Sequence, residues 1–147
     1  LGFCLILALP LEAADKIEPT ADEKAVLELS NKERKAVEAK PLAFDAVLMK
    51  AARDHAANMA KQGKLSHELD GIAFGDRLQA TGYKYGSAAE NVAAGQKTPA
   101  KAIESWMESE GHKQNLLNPG LTVLGVGIAK GDDGTIYWCQ IFATPAK

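Results

Sequence analysis

"LTVLGVGIAK" (121–130), "GDDG" (131–134) and "TIYWCQIFAT" (135–144) decide the fold. Two β-prone runs flank a short turn rich in Gly and Asp, the pattern of a β-hairpin. Side chains alternate along a strand, so Leu124, Val126 and Ile128 face one way, and Val123, Gly125, Gly127 and Ala129 the other. The second strand is apolar on both faces as well. A hairpin buried on both sides has to be covered by helices on both sides. The expectation is an α+β fold: a three-layer α-β-α sandwich with a small antiparallel sheet ending in this C-terminal hairpin. Gly125 and Gly127 form one bare patch on the sheet, where another element or a ligand can approach closely.

The covering helices lie upstream. Residues 19–40 carry Ala25, Val26, Leu29, Ala36 and Val37 at helical spacing, with charges on the other face and Pro41 as the stop. Residues 43–64 form a second helix closing at Gly63; its inner stripe is Val47, Leu48, Ala51, Ala52, His55, Ala56 and Met59. A short third helix falls in 72–84 and ends near Gly82. Residues 82–95, rich in Gly and Ala, read as loop. Thr98 caps a fourth helix with Pro99 in its first turn and Gly111 as its stop. "NPG" at 118–120 is a turn.

The chain has 147 residues, 46% apolar and 24% charged, with net charge −2. That length points to one domain, placed at 20–147, and the charge gives no basic surplus for nucleic acid or an anionic membrane. Residues 1–14 are expected to be the apolar core and cleavage end of a truncated secretory signal. The apolar run is too short for a stable membrane span. Secretion or export to a periplasm follows as the expected location. Phe3 before Cys4 argues against lipidation of that Cys, since a small residue belongs there. Cys139 would then be alone, an inert thiol inside an apolar strand.

The chemistry-bearing groups are few. The histidines are His55, His67 and His112. "HELDG" (67–71) is no zinc-protease motif, because position 71 is Gly. His55 on the apolar stripe reads as a core histidine. His67 lies beyond the helix-ending Gly63, in backbone where functional side chains concentrate. His112, read as following the end of the fourth helix, would be favoured in its protonated form by the helix dipole. Ser109 stands three residues from His112 without a nucleophile-elbow motif, so serine hydrolysis is poorly supported. Within "AENVAAG" (89–95), Glu90 and Asn91 are polar groups among small residues. A carboxylate there either ties backbone together or faces a cleft. Asn91 is expected to tie loop backbone through its amide.

In order along the chain, "LSNKERKAVEAKPLAFDAVLMKAARDHAANMA", "LSH", "DRLQATGY", "AENVAAG", "WMESEGHKQNLLNP", "TVLGVGIA" and "YWCQIFA" resemble the CAP superfamily. That family comprises cysteine-rich secretory, antigen 5 and pathogenesis-related proteins, the SCP-domain proteins, and the likeness is to the short, cysteine-poor bacterial branch. It covers roughly residues 26–143, on the single-domain prior. The resemblance implies an α-β-α sandwich, secretion and a central cavity lined by two His and two acidic residues. His67, Glu90 and His112 match three of these; the fourth acid falls on Ser109. Two His and one carboxylate suit a zinc or other divalent ion held by His67 and His112, and equally suit a metal-free polar cluster that staples loops to helices. The functional expectation is a secreted binding module for a small apolar ligand, a glycan or a protein. A metal-dependent hydrolase or peptidase using the same cleft, and a plain scaffold, are the alternatives.

Overall fold

The computed structural model describes residues 17–147; the leader and Cys4 lie outside the described residues. Thr20 opens α1 (Ala21–Ala36) with a capping box, its hydroxyl accepting from the Glu23 amide while the Glu23 carboxylate accepts from the Thr20 amide. The helix stops short of Pro41, and Glu38 adopts positive φ in the turn that follows. After the two-residue strand β1 (Ala43–Phe44), Asp45 caps α2 (Ala46–Gln62) and Gly63 closes it in the left-handed conformation. Then come α3 (Phe74–Ala80), β2 (Tyr85–Ala94), α4 (Pro99–Met107), α5 (Glu110–Leu117), β3 (Val123–Lys130) and β4 (Ile136–Pro145).

The strands form one sheet in the order β1-β3-β4-β2. The hairpin pairs β3 with β4 antiparallel, β2 adds antiparallel to β4, and β1 joins β3 in parallel. Leu124, Val126, Trp138 and Phe142 pack with Val26, Ile103, Trp106 and Leu116 beneath α1, α4 and α5. Cys139, Ile141 and Ala143 pack on the other face with Leu48, Ala56, Met59 and Leu78 of α2 and α3. The protein is a three-layer α-β-α sandwich, with the hairpin parity that alternation predicts.

Two expectations are corrected. Residues 85–94 are a strand and not loop: their small side chains fit between β4 and the helices, and nine of them pair with β4. Gly111 does not stop a helix. The chain breaks at Ser109, and Gly111 lies in the first turn of the separate helix α5. The Arg34 guanidinium, fully buried, holds the far end of that helix by donating to the carbonyls of Leu116, Asn118 and Leu121. They lie at and just beyond the helix end, where backbone carbonyls have no intrahelical partner.

The bare patch is filled by α2. A methyl group at Gly125 would fall within the Leu48 carbonyl, and one at Gly127 within that of Ala52. Helix backbone therefore rests directly on sheet backbone. Gly127→Ala should destabilise the fold by about 3 kcal/mol, through forced separation of helix and sheet. Gly75→Ala, inside α3 with open space around it, should instead stabilise by about 0.5 kcal/mol. Urea-denaturation midpoints of the two variants measure the contrast.

Candidate functional site

Glu90 lies on β2, whose outer edge pairs with no other strand among the described residues. Its side chain faces the α2/α3 layer, as does Val92 two residues on. It is 5% exposed, so its carboxylate needs partners. His67 donates from Nδ1 to Oε1 at 2.8 Å. Arg77 donates from Nη2 to Oε2 at 2.7 Å and to Oε1 at 2.9 Å. The Cys139 thiol lies 3.6 Å from Oε2 and donates to it, and His55 Nε2 stands 3.9 Å from Oε1. One acid thus gathers side chains from α2, from the loop after it, from α3 and from β4.

Local chemistry explains how the loop delivers His67. Gly63 turns the chain back off α2, and Leu69 anchors the loop in the core. Asp70 and Gly71, both at positive φ, make the bend, and the Asp70 carboxylate accepts from Asn58 and Gln62 of α2. His55 Nε2 is 2.8 Å from the Ser66 carbonyl, and Arg77 Nη2 donates to the His67 carbonyl. The backbone on both sides of His67 is therefore tied to buried groups, while its own ring stays 54% exposed.

His112 approaches from the other layer. It sits in the first turn of α5, not beyond the end of α4, which reverses the expected dipole argument. Burial, with a smaller contribution from nearby His67, lowers its pKa below the ordinary 6.5. Asn91 points to the opposite face from Glu90. Its amide donates to the His112 carbonyl at 3.1 Å and its oxygen accepts from Asn115 at 3.0 Å, so it fastens α5 to the sheet. Ser109 is the N-cap residue of α5, half-buried, and its side chain makes no capping hydrogen bond.

Sequence reasoning set His55 apart as a core residue and passed over Arg77. His55 is indeed 2% exposed, yet it also borders Glu90. Burial above all holds its pKa below 6.5, against the attraction of Glu90. The available signal was a polar ring on an otherwise apolar stripe. Arg77 left a similar trace, since it directly precedes Leu78, buried in the α2/α3 layer, and follows Phe74 by three positions. Its guanidinium carbon lies 5.6 Å from the centre of the Phe74 ring.

The residues do not fit a divalent metal as arranged. A catalytic zinc takes three protein donors. Glu90, the expected third, has both oxygens bonded to Arg77, whose positive charge already neutralises it. No group of three or more His, Cys, Asp or Glu side chains able to hold a metal ion occurs among the described residues. Burial pushes the Cys139 thiol well above its ordinary value, leaving it protonated.

A family model described as the cysteine-rich secretory protein family, CAP, matches residues 27–142. The chain is similar to the Bacillus subtilis (strain 168) protein YkwD, 42% identical over 125 residues that cover 84% of this chain and 47% of that one. It is also similar to the Bacillus subtilis membrane protein YlbC, 33% identical over 110 residues, 74% of this chain and 32% of that one. The chain thus spans about half, or less, of the length of the curated relatives it matches. Among solved structures it resembles an extracellular protein containing a SCP domain from Bacillus anthracis str. Ames, with TM-score 0.75, 29% identity and coverage of 86% of this chain and 44% of that one. It shares its fold with an outer surface protein from Borrelia burgdorferi, with TM-score 0.81, 22% identity and coverage of 88% of this chain and 97% of that one.

Glu90→Gln should cost about 3 kcal/mol in urea denaturation, because the half-sequestered Arg77 charge loses its partner. His67→Ala should cost less than about 1 kcal/mol, because its ring is largely solvated. Histidine titration gives a second expectation. His55 and His112 bind protons more weakly in the folded protein than in the unfolded chain, so below 6.5 protonation favours unfolding. Stability should be full above that pH and fall as pH drops below it. His55→Gln should flatten this fall, as read from unfolding midpoints across the pH range.

Proposed function

Because the chain belongs to the cysteine-rich secretory protein (CAP) family, we propose that it is an exported binding module whose contact centre is the pair of imidazoles His67 and His112. The observation that carries this reading is the state of His67. Its Nδ1 is held at 2.8 Å by a buried carboxylate, while more than half of the side chain is open to solvent. A carboxylate only accepts, so Nδ1 carries a proton, and Glu90 fixes the orientation of a ring that stays open to solvent. Glu90 orients; His67 and His112 touch the ligand.

An imidazole this exposed suits a polar ligand arriving from solvent, a glycan or a protein surface, better than a small apolar molecule enclosed in a cavity. Asn91 supports the site by holding the backbone of His112, and Ser109 stands at the start of the same helix. Export is supported by the likeness to an extracellular protein and an outer surface protein, and by the apolar stretch at residues 1–9. Among the described residues no helix is long and apolar enough to cross a membrane.

The test compares the wild type with His67→Ala/His112→Ala on an array of defined glycans and purified extracellular proteins. A ligand bound by the wild type should be lost, about tenfold or more, by the double variant whose thermal unfolding is unchanged. Equal binding by both proteins would remove the imidazoles from the contact surface. Calorimetric titration with zinc should show no stoichiometric micromolar site, since only two donors converge.

A further inference from the structure

Helix α2 carries two stripes. Leu48, Ala52, His55, Ala56 and Met59 are buried and belong to the side that rests on the sheet. A second stripe, Val47, Lys50, Ala51, Asp54 and Asn58, has the spacing i, i+3, i+4, i+7, i+11 that keeps residues on one side of a helix. It borders α3 along two adjoining clefts. One, of about 460 Å3, is lined by Val47, Lys50, Ala51 and Asp54 together with Ala80 and Thr81. The other, of about 270 Å3, is lined by Ala51, Asp54 and Asn58 together with Ile72, Ala80 and Thr81. Their shared residues make them one groove, with Val47 at one end and Ile72 beside Asn58 at the other.

The exposed large apolar side chains among the described residues are Val37, Val47, Leu65 and Ile72, and two of these four line this one groove. Val47 is 40% exposed and Ile72 45%. Ala51 and Ala80 between them are small, so a side chain from another molecule can enter. The stripe also carries one charge of each sign. Lys50 and Asp54 are 2.6 Å apart, with side chains 71% and 65% exposed. An exposed pair one helical turn apart stabilises its own helix only slightly, so both charges are free to turn to a partner at little cost. A two-fold axis crossing α2 at the level of Ala52 reverses the order of the stripe. Lys50 then meets Asp54 of the second copy, and Asp54 meets its Lys50. The same rotation carries Val47 to the level of Ala57 and Asn58 of the second copy, at the Ile72 end of its groove. The face is complementary to itself in charge and in shape, as a contact between identical surfaces requires.

We propose that the α2/α3 face is the interface of a homodimer. Two copies pack their α2 helices antiparallel, each Val47 enters the Ile72 end of the other's groove, and two Lys50–Asp54 pairs flank the axis between the copies. The apolar contact supplies the attraction, and the charge pairs set the orientation and the register. A face built from one helix and a short neighbour suits reversible association, at the small end of specific interfaces, and not an obligate dimer. This inference does not depend on the function proposed above, and its readout is molecular mass.

Sedimentation equilibrium tests it. The wild type should form a reversible dimer with a Kd of about 100 μM or tighter. Lys50→Asp and Asp54→Lys each set like charges against one another across the axis, and each should weaken the dimer about tenfold or more. Both positions are exposed, so both variants should unfold at the wild-type midpoint. An equimolar mixture of the two variants sets two acids against two lysines, and should recover the dimer that neither forms alone. Val47→Asp, in the first turn of α2 where an acid suits the helix, should be monomeric. A wild type that stays monomeric up to about 1 mM leaves the face to a different partner or to solvent, and overturns the proposal. So does a dimer that survives either charge reversal, or a mixture no more associated than its components. Any of these results leaves the His67/His112 reading untouched.

Discussion

Contact between the α2 backbone and the glycines of β3 sets the spacing on which the rest of the molecule depends. An ordinary helix rides on a sheet at the distance its side chains impose, near about 10 Å. Here Gly125 and Gly127 remove that spacer, and Leu48 and Ala52 present carbonyls where side chains would stand. Everything α2 carries on this face is drawn toward the strands. His55 comes within 3.9 Å of a carboxylate on β2, across the width of β4.

Glu90 is where the polar groups of this face meet. A lone carboxylate buried this deeply would be costly, and removing any one partner leaves the others short. Arg77 supplies the opposing charge, His67 a directed hydrogen bond, and Cys139 a weak donor from the strand next door. The cluster therefore does two things with one set of bonds. It closes the loop after α2 and the short helix α3 onto the sheet, and it fixes the ring plane of an imidazole that solvent can still reach. Neither α3 nor that loop has a large apolar face of its own, so the buried polar contacts carry a larger share of their attachment than packing does.

The fold was legible because its decisive segment is strongly patterned. Alternation in 121–144 assigned the two faces of the hairpin, and Gly63 and Thr98 mark helix ends by chemistry that acts locally. Residues 85–94 were illegible as a strand because Gly, Ser and Ala there carry almost no β preference; pairing with β4 overrides it. The break between α4 and α5 was hidden for a related reason: Ser109 and Gly111 signal an end without saying whether another helix begins. His67, Glu90 and His112 were singled out through an ordered set of motifs. Arg77 was not, because its place between Phe74 and buried Leu78 is a faint trace that does not tell an arginine turned inward to a distant acid from one that points to water.

The pair Glu90 and Asn91 shows how a strand divides labour between its two faces. Adjacent residues point to opposite layers, so one step along β2 separates a charge from an amide by the whole thickness of the sheet. Asn91 bonds to Gln140 directly across on β4, and Gln140 reaches Ser30 of α1 at 2.9 Å. That amide chain also takes in Asn115 and the His112 carbonyl. One face of β2 thus positions His67 through its side chain, while the other positions His112 through its backbone. The two imidazoles belong to elements on opposite layers of the sandwich, and both elements are tied to the same two adjacent residues of β2. A shift of β2 by one position against β4 would exchange the carboxylate and the amide and dismantle both attachments at once.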